Sequence, residues 1–277
     1  MTILVTGATG SIGRHVVEQL LQAGTQVRAL TRNPAAANLP DGVEVVQGDL
    51  ARPETLPTAF ENVDRMYLIP VPATATEVVE LAKRSGVQRI VVLSSASAPY
   101  EEMYQPGGQY FLLVERAVEG AGVEWTHVRP VGLMLSSLFW AESIRSEGVV
   151  RAPYGNAAYP HVHEADVADV ATAALLEDGH VGKRYTVTGP ESITQIEQVR
   201  AISVAIGRDI RFEELTPEQA RSRWSSFMSA ADIDVELMVL EESVNKPTKV
   251  RKTFDQVTGH PGRTYAQWTT EHSHDFR

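Results

Sequence analysis

The fold of this chain is decided by the stretch Thr6-Gly7-Ala8-Thr9-Gly10-Ser11-Ile12-Gly13, which directly follows the apolar run Ile3-Leu4-Val5. The pattern predicts a strand, a tight glycine turn and the first turn of a helix. Glycines at these positions permit positive φ, let a phosphate approach the main chain and let the helix pack closely on the strand. Amides at a helix N-terminus favour a diphosphate. The stretch therefore predicts a dinucleotide-binding turn, although a glycine triplet alone also occurs in flexible turns.

The end of the next predicted strand, residues 26–30, indicates which dinucleotide is bound. An acidic residue here holds the ribose hydroxyls of NAD, whereas an arginine accommodates the additional phosphate of NADP. No Asp or Glu occurs between Gln19 and Pro40, and the strand runs into Arg32 and Asn33. A guanidinium group forms paired hydrogen bonds with a phosphate. We therefore expect NADPH, with Arg32 and Asn33 as donors to its 2′-phosphate. The alternative is that Arg32 is an ordinary solvated charge.

Composition and charge narrow the class of protein. The 277 residues are 43% hydrophobic and 22% charged, which is ordinary for a soluble protein, and the net charge of -10 argues against a broad surface for nucleic acid or anionic membranes. The absence of cysteine excludes disulfides, thiolate nucleophiles and cysteine-ligated metal sites. The longest uncharged runs fall short of the ~20 residues of a membrane span. The N-terminus shows no signal-peptide pattern, so a cytoplasmic protein is expected.

Short runs rich in β-branched residues alternate with helical patterns through the first half of the chain. This alternation predicts an α/β fold of the Rossmann type, a doubly wound parallel sheet with helices on both faces and a smaller C-terminal substrate lobe. The expected dinucleotide-binding domain is residues 1–130, with 160–189 returning to it, and the expected substrate-binding lobe is 131–159 and 190–277. Strands are predicted at residues 3–6, 26–30, 43–46, 65–69, 89–94, 125–128 and 184–187. Helices are predicted at residues 12–23, 53–60, 75–85, 110–119 and 164–176, and capping boxes begin at Thr194, Thr216 and Thr264.

Residues that follow the predicted strands are candidates for cofactor contacts, because ligands of such sheets bind at the carboxyl ends of the strands. Asp49 and Leu50 follow the third strand, where the adenine ring is expected, and the Asp49 carboxylate can accept from its exocyclic amine. Ile69-Pro70-Val71 end the fourth strand and offer a rigid apolar wall for the nicotinamide riboside. The alternatives are an Asx turn at Asp49 and a simple strand terminator at the prolines. An apolar stretch at residues 133–140 fits core or lid packing better than a substrate site.

Several motifs together resemble the atypical short-chain dehydrogenase/reductases, in particular their NmrA-like and NADPH:quinone-reductase-like branch. The resemblance covers nearly the whole chain and is more specific for the fold than for the reaction. Besides the glycine turn, it rests on residues 30–34, 48–50, 93–95, 124–130, 166–171, 183–191 and 259–276. The cofactor contacts expected from the motifs and the resemblance together are Gly7, Thr9, Gly10, Ser11, Ile12, Gly13, Arg32, Asn33, Asp49, Leu50, Ile69, Pro70, Val71, Ser94 and Pro130.

The sequence departs from the resemblance at the catalytic dyad. Active short-chain reductases often carry Tyr-x-x-x-Lys, in which the lysine lowers the tyrosine pKa so that the hydroxyl can protonate a developing alkoxide. Glu115 resembles the family's glutamate four residues after this lysine. Counted back from it, the lysine position is Phe111 and the tyrosine position is Gly107. The serine of the usual triad corresponds to Ser95, or to Ser94 if the frame is shifted by one residue. A hydroxyl that only caps the strand end is the alternative.

Hydride transfer does not require this dyad, because the nicotinamide supplies the hydride and the protein chiefly positions it. A quinone or a conjugated enone also needs less proton help than a simple ketone, since its product oxyanion is delocalised. The candidate proton donors are Tyr104, Tyr110, His161 and His163, with solvent or the substrate as alternatives. The catalytic residues expected from the whole pattern are Ser95, Tyr104 and His163.

One motif invites a metal hypothesis. His161-Val162-His163-Glu164 has the alternating spacing of metal ligands, but no third ligand is evident, so structural histidines are expected and no metal. Hydrolase and kinase motifs are absent from the sequence. We expect an NADPH-dependent oxidoreductase acting on a small, largely apolar carbonyl, enone or quinone, with neither a nucleic acid nor a membrane as partner; the oligomeric state is open. The alternative is a catalytically silent NADP-binding sensor that binds a protein partner, as some NmrA-like proteins do.

Overall fold

Two compact units make up the computed structural model, which describes residues 1–104 and 110–277. The side chains of residues 103 and 104 also lie outside the described part. The first unit contains residues 1–131, 164–187 and 253–260, and the second contains residues 132–163, 188–252 and 261–277. Among the described residues, no helix is long and apolar enough to cross a bilayer.

The strands and helices follow one another along the chain largely as the sequence predicts. The strands are β1 Thr2–Val5, β2 Gln26–Thr31, β3 Glu44–Gln47, β4 Arg65–Leu68, β5 Arg89–Leu93, β6 Glu124–Pro130, β7 Val149–Ala152, β8 Ala158–Tyr159, β9 Lys183–Val187, β10 Ile193–Thr194 and β11 Arg211–Glu214. The α-helices are α1 Ser11–Gln22, α2 Ala75–Arg84, α3 Glu101–Tyr104, α4 Phe111–Gly120, α5 Ala141–Glu147, α6 Glu164–Leu176, α7 Gln195–Ile206, α8 Pro217–Trp224, α9 Ala230–Asn245, α10 Thr253–Thr258 and α11 Tyr265–Glu271. Short 3-10 helices lie at Pro34–Ala36, Pro53–Thr55, Pro57–Phe60, Pro72–Thr74, Ala98–Tyr100, Met134–Trp140 and Ser273–Phe276.

A parallel sheet of seven strands, in the order β3-β2-β1-β4-β5-β6-β9, forms the centre of the first unit. Strand β1 lies between two neighbours: Ile3 pairs with Val27 of β2 on one side and with Arg65 of β4 on the other. The chain runs outward through β2 and β3 and then returns to begin again at β4. In such sheets the ligand crevice lies outside the carboxyl ends of the two strands at this reversal. The Rossmann-type fold predicted from the sequence is therefore confirmed.

Helices cover both faces of this sheet. On one face α1 packs against α6, and Gln19 of α1 donates from Nε2 to Oδ1 of Asp169 at 2.6 Å. On the other face α2 packs against α4 over a cluster of fully buried apolar side chains that includes Leu4, Met66 and Ile90. Apolar burial on both faces explains why the central strands β1, β4 and β5 are nearly continuous hydrophobic runs instead of alternating patterns.

Residues 53–60 differ from the α-helix predicted for them. They form two separate 3-10 turns, each beginning with a proline, at Pro53 and Pro57. A proline inside an α-helix removes one main-chain hydrogen bond and clashes with the preceding turn, so Pro57 prevents a continuous helix. Leu56 and Phe60 are nevertheless fully buried in the sheet's core cluster.

The second unit has a core of its own. Two small sheets belong to it, with β7 parallel to β11 and β8 antiparallel to β10. The stretch 131–159 contains α5, β7 and β8. As the sequence indicates for residues 133–140, its apolar residues enter a core cluster around Met134, Ile144 and Trp268. All three predicted capping boxes are present, at the N-termini of α7, α8 and α11. The assignment of this unit to substrate binding stays a prediction.

Candidate active site

The main chain after β1 forms a tight turn that leaves space for a ligand. Gly7 has φ +60°, and the Gly10 amide donates to the Gly7 carbonyl oxygen at 2.9 Å. A Cβ atom on Gly13 would lie 2.1 Å from that carbonyl oxygen, and one on Gly7 would lie 2.7 Å from Cγ2 of Ile69. Gly13 requires glycine because a side chain there would push α1 off the turn, and Gly7 requires it because of its positive φ and the Ile69 side chain beside it.

Helix α1 begins at this turn with its N-terminal amides available. The N-cap residue is Gly10, so no side chain caps the helix, and the first turn, which contains Ser11, Ile12 and Gly13, has no acidic residue. The first amides of a helix have no intrahelical acceptor, and the helix dipole makes this end positive. Thr9 and Ser11 are exposed beside it. The turn therefore fits a diphosphate, as the sequence predicted.

Arg14, on the second turn of α1, has a structural role. Its guanidinium donates to three main-chain carbonyl oxygens, those of Thr9 at 3.2 Å, Asn38 at 2.8 Å and Ala37 at 3.0 Å. These bonds tie the glycine turn to the segment that follows β2. Arg14 thus stabilises the loop that a diphosphate would contact, and three of its five N–H donors bind main-chain carbonyl oxygens.

A cavity of about 430 Å³ lies at the carboxyl ends of β2 and β3. The Arg32 side chain is exposed at its edge, and within the described residues it forms no ion pair. Asn33 is exposed next to it and precedes the 3-10 turn at Pro34–Ala36. The residues that line the cavity are Arg32, Gln47, Gly48, Asp49, Arg52 and Thr55. An unpaired guanidinium at the mouth of a cavity of this kind fits the 2′-phosphate of an adenosine.

Arg52 was missed by the sequence analysis. Its side chain is 67% exposed, lines the same cavity as Arg32 and lies 3.9 Å from Asp49, measured from Nε to Oδ2. Only the position of Arg52 three residues after Asp49 indicates it in the sequence. The cavity therefore presents two guanidinium groups to a phosphate.

The Asp49 carboxylate forms the Asx turn that the sequence left as an alternative. Its Oδ1 accepts from the Ala51 amide at 3.0 Å, and the Asp49 amide donates to Oγ1 of Thr55 at 3.0 Å. The side chain still lines the cavity. A contact from Asp49 to the adenine amine stays a prediction, with the turn holding the carboxylate in place.

An apolar wall continues from the cavity toward the end of β4. Leu50, Ile69 and Val71 lie together along a narrow cleft with Leu68, Ala75, Val78 and Val114. Thr6 fixes the backbone here, because its Oγ1 donates to the Tyr67 carbonyl oxygen and accepts from the Ile69 amide, each at 2.9 Å. The contacts expected of the adenine with Leu50, and of the nicotinamide riboside with Ile69-Pro70-Val71, stay predictions.

Ser94, at the end of β5, does not fit the predicted contact with the cofactor. Its side chain is buried, and its hydroxyl donates to Oε1 of Glu115 at 2.5 Å. The structure therefore contradicts a direct contact of the Ser94 hydroxyl with a cofactor. Ser95, the next residue, is half-buried, and its Oγ accepts from the amide and the hydroxyl of Ser97. Pro130, also expected to touch the cofactor, is buried at the end of β6, and its carbonyl oxygen accepts from the Ala96 amide at 3.0 Å.

A buried ionic network lies behind these strand ends. Glu115 of α4 accepts two hydrogen bonds from Arg129 of β6. Burial by itself would raise the pKa of Glu115, but the hydrogen bonds from Arg129 and Ser94 and the positive charge nearby hold that pKa below its ordinary value. The carboxylate thus stays charged and fully paired.

One turn further along α4, Oε1 of Glu119 lies within hydrogen-bond distance of Nε2 of His127, at 3.0 Å. The same oxygen accepts a hydrogen bond from the Arg184 guanidinium. Burial lowers the pKa of His127. One ligand atom each from Glu115, Glu119 and His127 lies within 4.8 Å of the other two, which is a possible arrangement for a metal. Because guanidinium groups already neutralise both carboxylates, this donor set does not fit a cation.

The predicted proton donors of the second unit are corrected by the structure. His163 is 1% exposed, and its Nε2 lies 3.2 Å from Oε2 of Glu271, so it is not the accessible donor that was expected. The Gln198 side-chain amide donates from Nε2 to Nδ1 of His161 at 3.3 Å, and burial lowers the pKa of His161 to about 4. His161 is therefore neutral at physiological pH. The side chain of Tyr104 and the whole of Gly107 lie outside the described residues.

The fold and the glycine turn after β1 define a Rossmann-type protein with a candidate dinucleotide site at the carboxyl ends of its strands. The comparison with protein families agrees: the chain belongs to the NAD(P)H-binding family, whose sequence model matches residues 7–178. The resemblance to the atypical short-chain reductases and the predicted NAD(P)H-dependent oxidoreductase are confirmed.

Two curated relatives each cover 99% of the chain. It is 38% identical over 284 residues to a (4-alkanoyl-5-oxo-2,5-dihydrofuran-3-yl)methyl phosphate reductase of Streptomyces griseus, with 99% of both chains covered. It is 33% identical over 285 residues to an NAD(P)H azoreductase of Xenophilus azovorans, again with 99% of both covered. In fold it is similar to an NADPH-dependent quinone oxidoreductase of Escherichia coli, solved with NADPH, with a TM-score of 0.81, 24% identity and coverage of 97% and 99%.

Proposed function

We propose that this protein is a cytoplasmic NADPH-dependent reductase that transfers hydride to a small, largely apolar quinone, enone or carbonyl compound. The second unit supplies the substrate lobe in this proposal. The observation that carries it is the cavity lined by Arg32 at the ends of β2 and β3, together with the glycine turn after β1. These two features would hold the phosphorylated adenosine at one end of a dinucleotide and its diphosphate in the middle.

The preference for NADPH over NADH follows from charge. An acidic residue at the end of β2 would repel a 2′-phosphate, and none occurs between Gln19 and Pro40. The carboxylate that lines the cavity, Asp49, accepts from the Ala51 amide and lies 3.9 Å from Arg52. Arg32 and Arg52 both line the cavity, and Arg32 forms no ion pair among the described residues. A phosphate there would gain charge-assisted hydrogen bonds that NADH cannot form.

The nature of the acceptor follows from the missing dyad. With glycine and phenylalanine at the positions of the tyrosine and lysine, the chain lacks the pair that polarises a simple ketone. A bound nicotinamide would supply the hydride, and Ile69-Pro70-Val71 would place its ring. A conjugated acceptor that spreads its own negative charge suits this site. The relatives named as reductases of an acyl-dihydrofuranone phosphate and of azo compounds support this class.

A panel of quinones, enones, azo compounds and simple ketones, followed by NADPH absorbance, tests the proposal. We expect turnover with conjugated acceptors, slower turnover with simple ketones, and a lower kcat/KM when NADH replaces NADPH. Tight NADPH binding with no turnover of any acceptor would instead favour the silent sensor.

A further inference from the structure

Tyr110 holds a phenolic hydroxyl just beyond the end of β4, the strand beside the glycine turn. Its Oη donates to the Pro70 carbonyl oxygen at 3.0 Å, although the side chain as a whole is 45% exposed. Pro70 follows Ile69, whose amide is fixed by Thr6 and whose side chain lies against Gly7. The hydroxyl is therefore close to the crevice and open to solvent.

The direction of the cofactor places this hydroxyl at its reactive end. The Arg32 cavity lies at the ends of β2 and β3, and the diphosphate fits the turn after β1. A dinucleotide that follows these two points runs across the sheet from β3 toward β4 and β5. Its nicotinamide riboside would therefore lie on the side of β4, where Tyr110 donates to the Pro70 carbonyl oxygen.

A buried carboxylate fixes the main chain of Tyr110. Glu101, which is 6% exposed, accepts from the amides of Tyr110 at 3.0 Å, Phe111 at 3.1 Å and Leu112 at 2.9 Å. These amides begin α4, so Glu101 serves as the acceptor for the first turn of the helix. Glu101 is a positioning residue, because it acts on Tyr110 through the main chain.

On the basis of the proposed function, we propose that the Tyr110 hydroxyl protonates the reduced substrate in place of the missing Tyr-x-x-x-Lys dyad. Hydride transfer oxidises NADPH to NADP⁺ and converts a quinone to the hydroquinone monoanion. The hydroxyl then turns from Pro70 to the substrate oxyanion, its O–H bond breaks, and a new O–H bond forms on the product. Water returns a proton to the exposed phenolate. Neither the Ser94 hydroxyl, which is bonded to Glu115, nor the buried His163 has this access.

The test compares Tyr110→Phe with the wild type on quinones whose hydroquinones differ in pKa. Tyr100→Phe is the matched control, since Tyr100 is also exposed and lies ten positions earlier. We expect kcat of Tyr110→Phe to fall about 100-fold with electron-rich quinones and progressively less as the hydroquinone pKa falls, because an acid contributes most where the oxyanion is most basic. The affinities for NADPH and NADP⁺, measured by fluorescence without substrate, are expected to stay within twofold of wild type.

Three results would overturn this role. One is a change in kcat no larger than that of Tyr100→Phe. Another is a loss of kcat that is equal across the quinone series. The third is a loss of kcat accompanied by weaker cofactor binding. Each of the last two results indicates that Tyr110 positions the site without transferring a proton. A wild-type protein that binds NADPH but reduces no acceptor contradicts the proposed function itself, which separates the two failures.

Discussion

The carboxylate of Glu115 on α4 and the guanidinium of Arg129 on β6 form two hydrogen bonds, at 2.8 Å from Nε to Oε1 and 2.5 Å from Nη2 to Oε2. Ser94, at the end of β5, adds a third bond to the same carboxylate. One buried ion pair thus joins α4, whose N-cap residue is Tyr110, to the ends of two central strands. This linkage sets the position of α4 at the candidate nicotinamide end of the site.

Removal of one member of this pair is expected to destabilise the first unit. Arg129→Met leaves a buried carboxylate without its partner, and we expect the free energy of unfolding to fall by about 3–5 kcal/mol. The matched control is Arg116→Met, because Arg116 pairs with Glu102 at an exposed site and such pairs contribute about 1 kcal/mol or less. Urea unfolding followed by circular dichroism measures both. Equal losses in the two variants would contradict the buried role of Arg129.

The same pair predicts how stability depends on pH. The folded pKa of Glu115 lies below its ordinary value, so the unfolded chain takes up a proton first as pH falls. The contribution is complete above the unfolded pKa of about 4.3 and is lost as pH falls through the lower folded pKa. Between pH 6 and pH 3 the free energy of unfolding of the wild type is therefore expected to fall further than that of Glu115→Gln. Urea unfolding at several pH values across that range measures the difference.

Arg32 is expected to set the preference for NADPH. Arg32→Ala removes a charge-assisted contact to the 2′-phosphate, which corresponds to about 1.5–3 kcal/mol and a Kd for NADPH about 10–100-fold higher. NADH, which lacks this phosphate, is expected to bind within threefold of wild type. Arg52→Ala is expected to show the same direction with a smaller effect, because Arg52 is also close to Asp49. Fluorescence titration with both cofactors measures the ratio, and exposed Arg84→Ala is the control.

Gly13 is expected to be indispensable for cofactor binding. Gly13→Ala would place a Cβ 2.1 Å from the Gly7 carbonyl oxygen, so the turn must open and its amides must move. We expect NADPH affinity to fall at least tenfold and thermal stability to decrease. Gly120→Ala is the control, since Gly120 ends α4 with no neighbour within 4 Å of an added Cβ, and alanine there gains up to about 1 kcal/mol of helix propensity. A Gly13→Ala protein with wild-type affinity would contradict the assigned diphosphate site.

His161 is expected to stay neutral through the physiological range. Burial lowers its pKa to about 4, so the unfolded imidazole is protonated first as pH falls. Its contribution to stability is complete above the ordinary pKa of about 6.5 and decreases as pH falls toward 4. Proton NMR of the imidazole, assigned with His161→Gln, measures the titration. A midpoint near 6.5 would show that the ring is solvated.

The amino-acid sequence by itself determined the Rossmann-type fold, the glycine turn and the candidate site for the adenosine phosphate. These features depend on short-range rules. Glycine spacing after an apolar strand, hydrophobic periodicity and the residue type at the end of β2 act over a few neighbours. Hence Gly7, Gly13 and Arg32 could be found without any contact map.

The tertiary structure alone decided which polar side chains are available for chemistry. Ser94 and Ser95 are adjacent in sequence, yet the Ser94 hydroxyl is buried against Glu115, 21 positions away. His163 was expected to be accessible but is buried against Glu271, and Arg52 became a site residue only through the cavity it shares with Arg32. Burial and pairing depend on residues distant in the chain, because packing brings them together only when the sheet and its helices are complete.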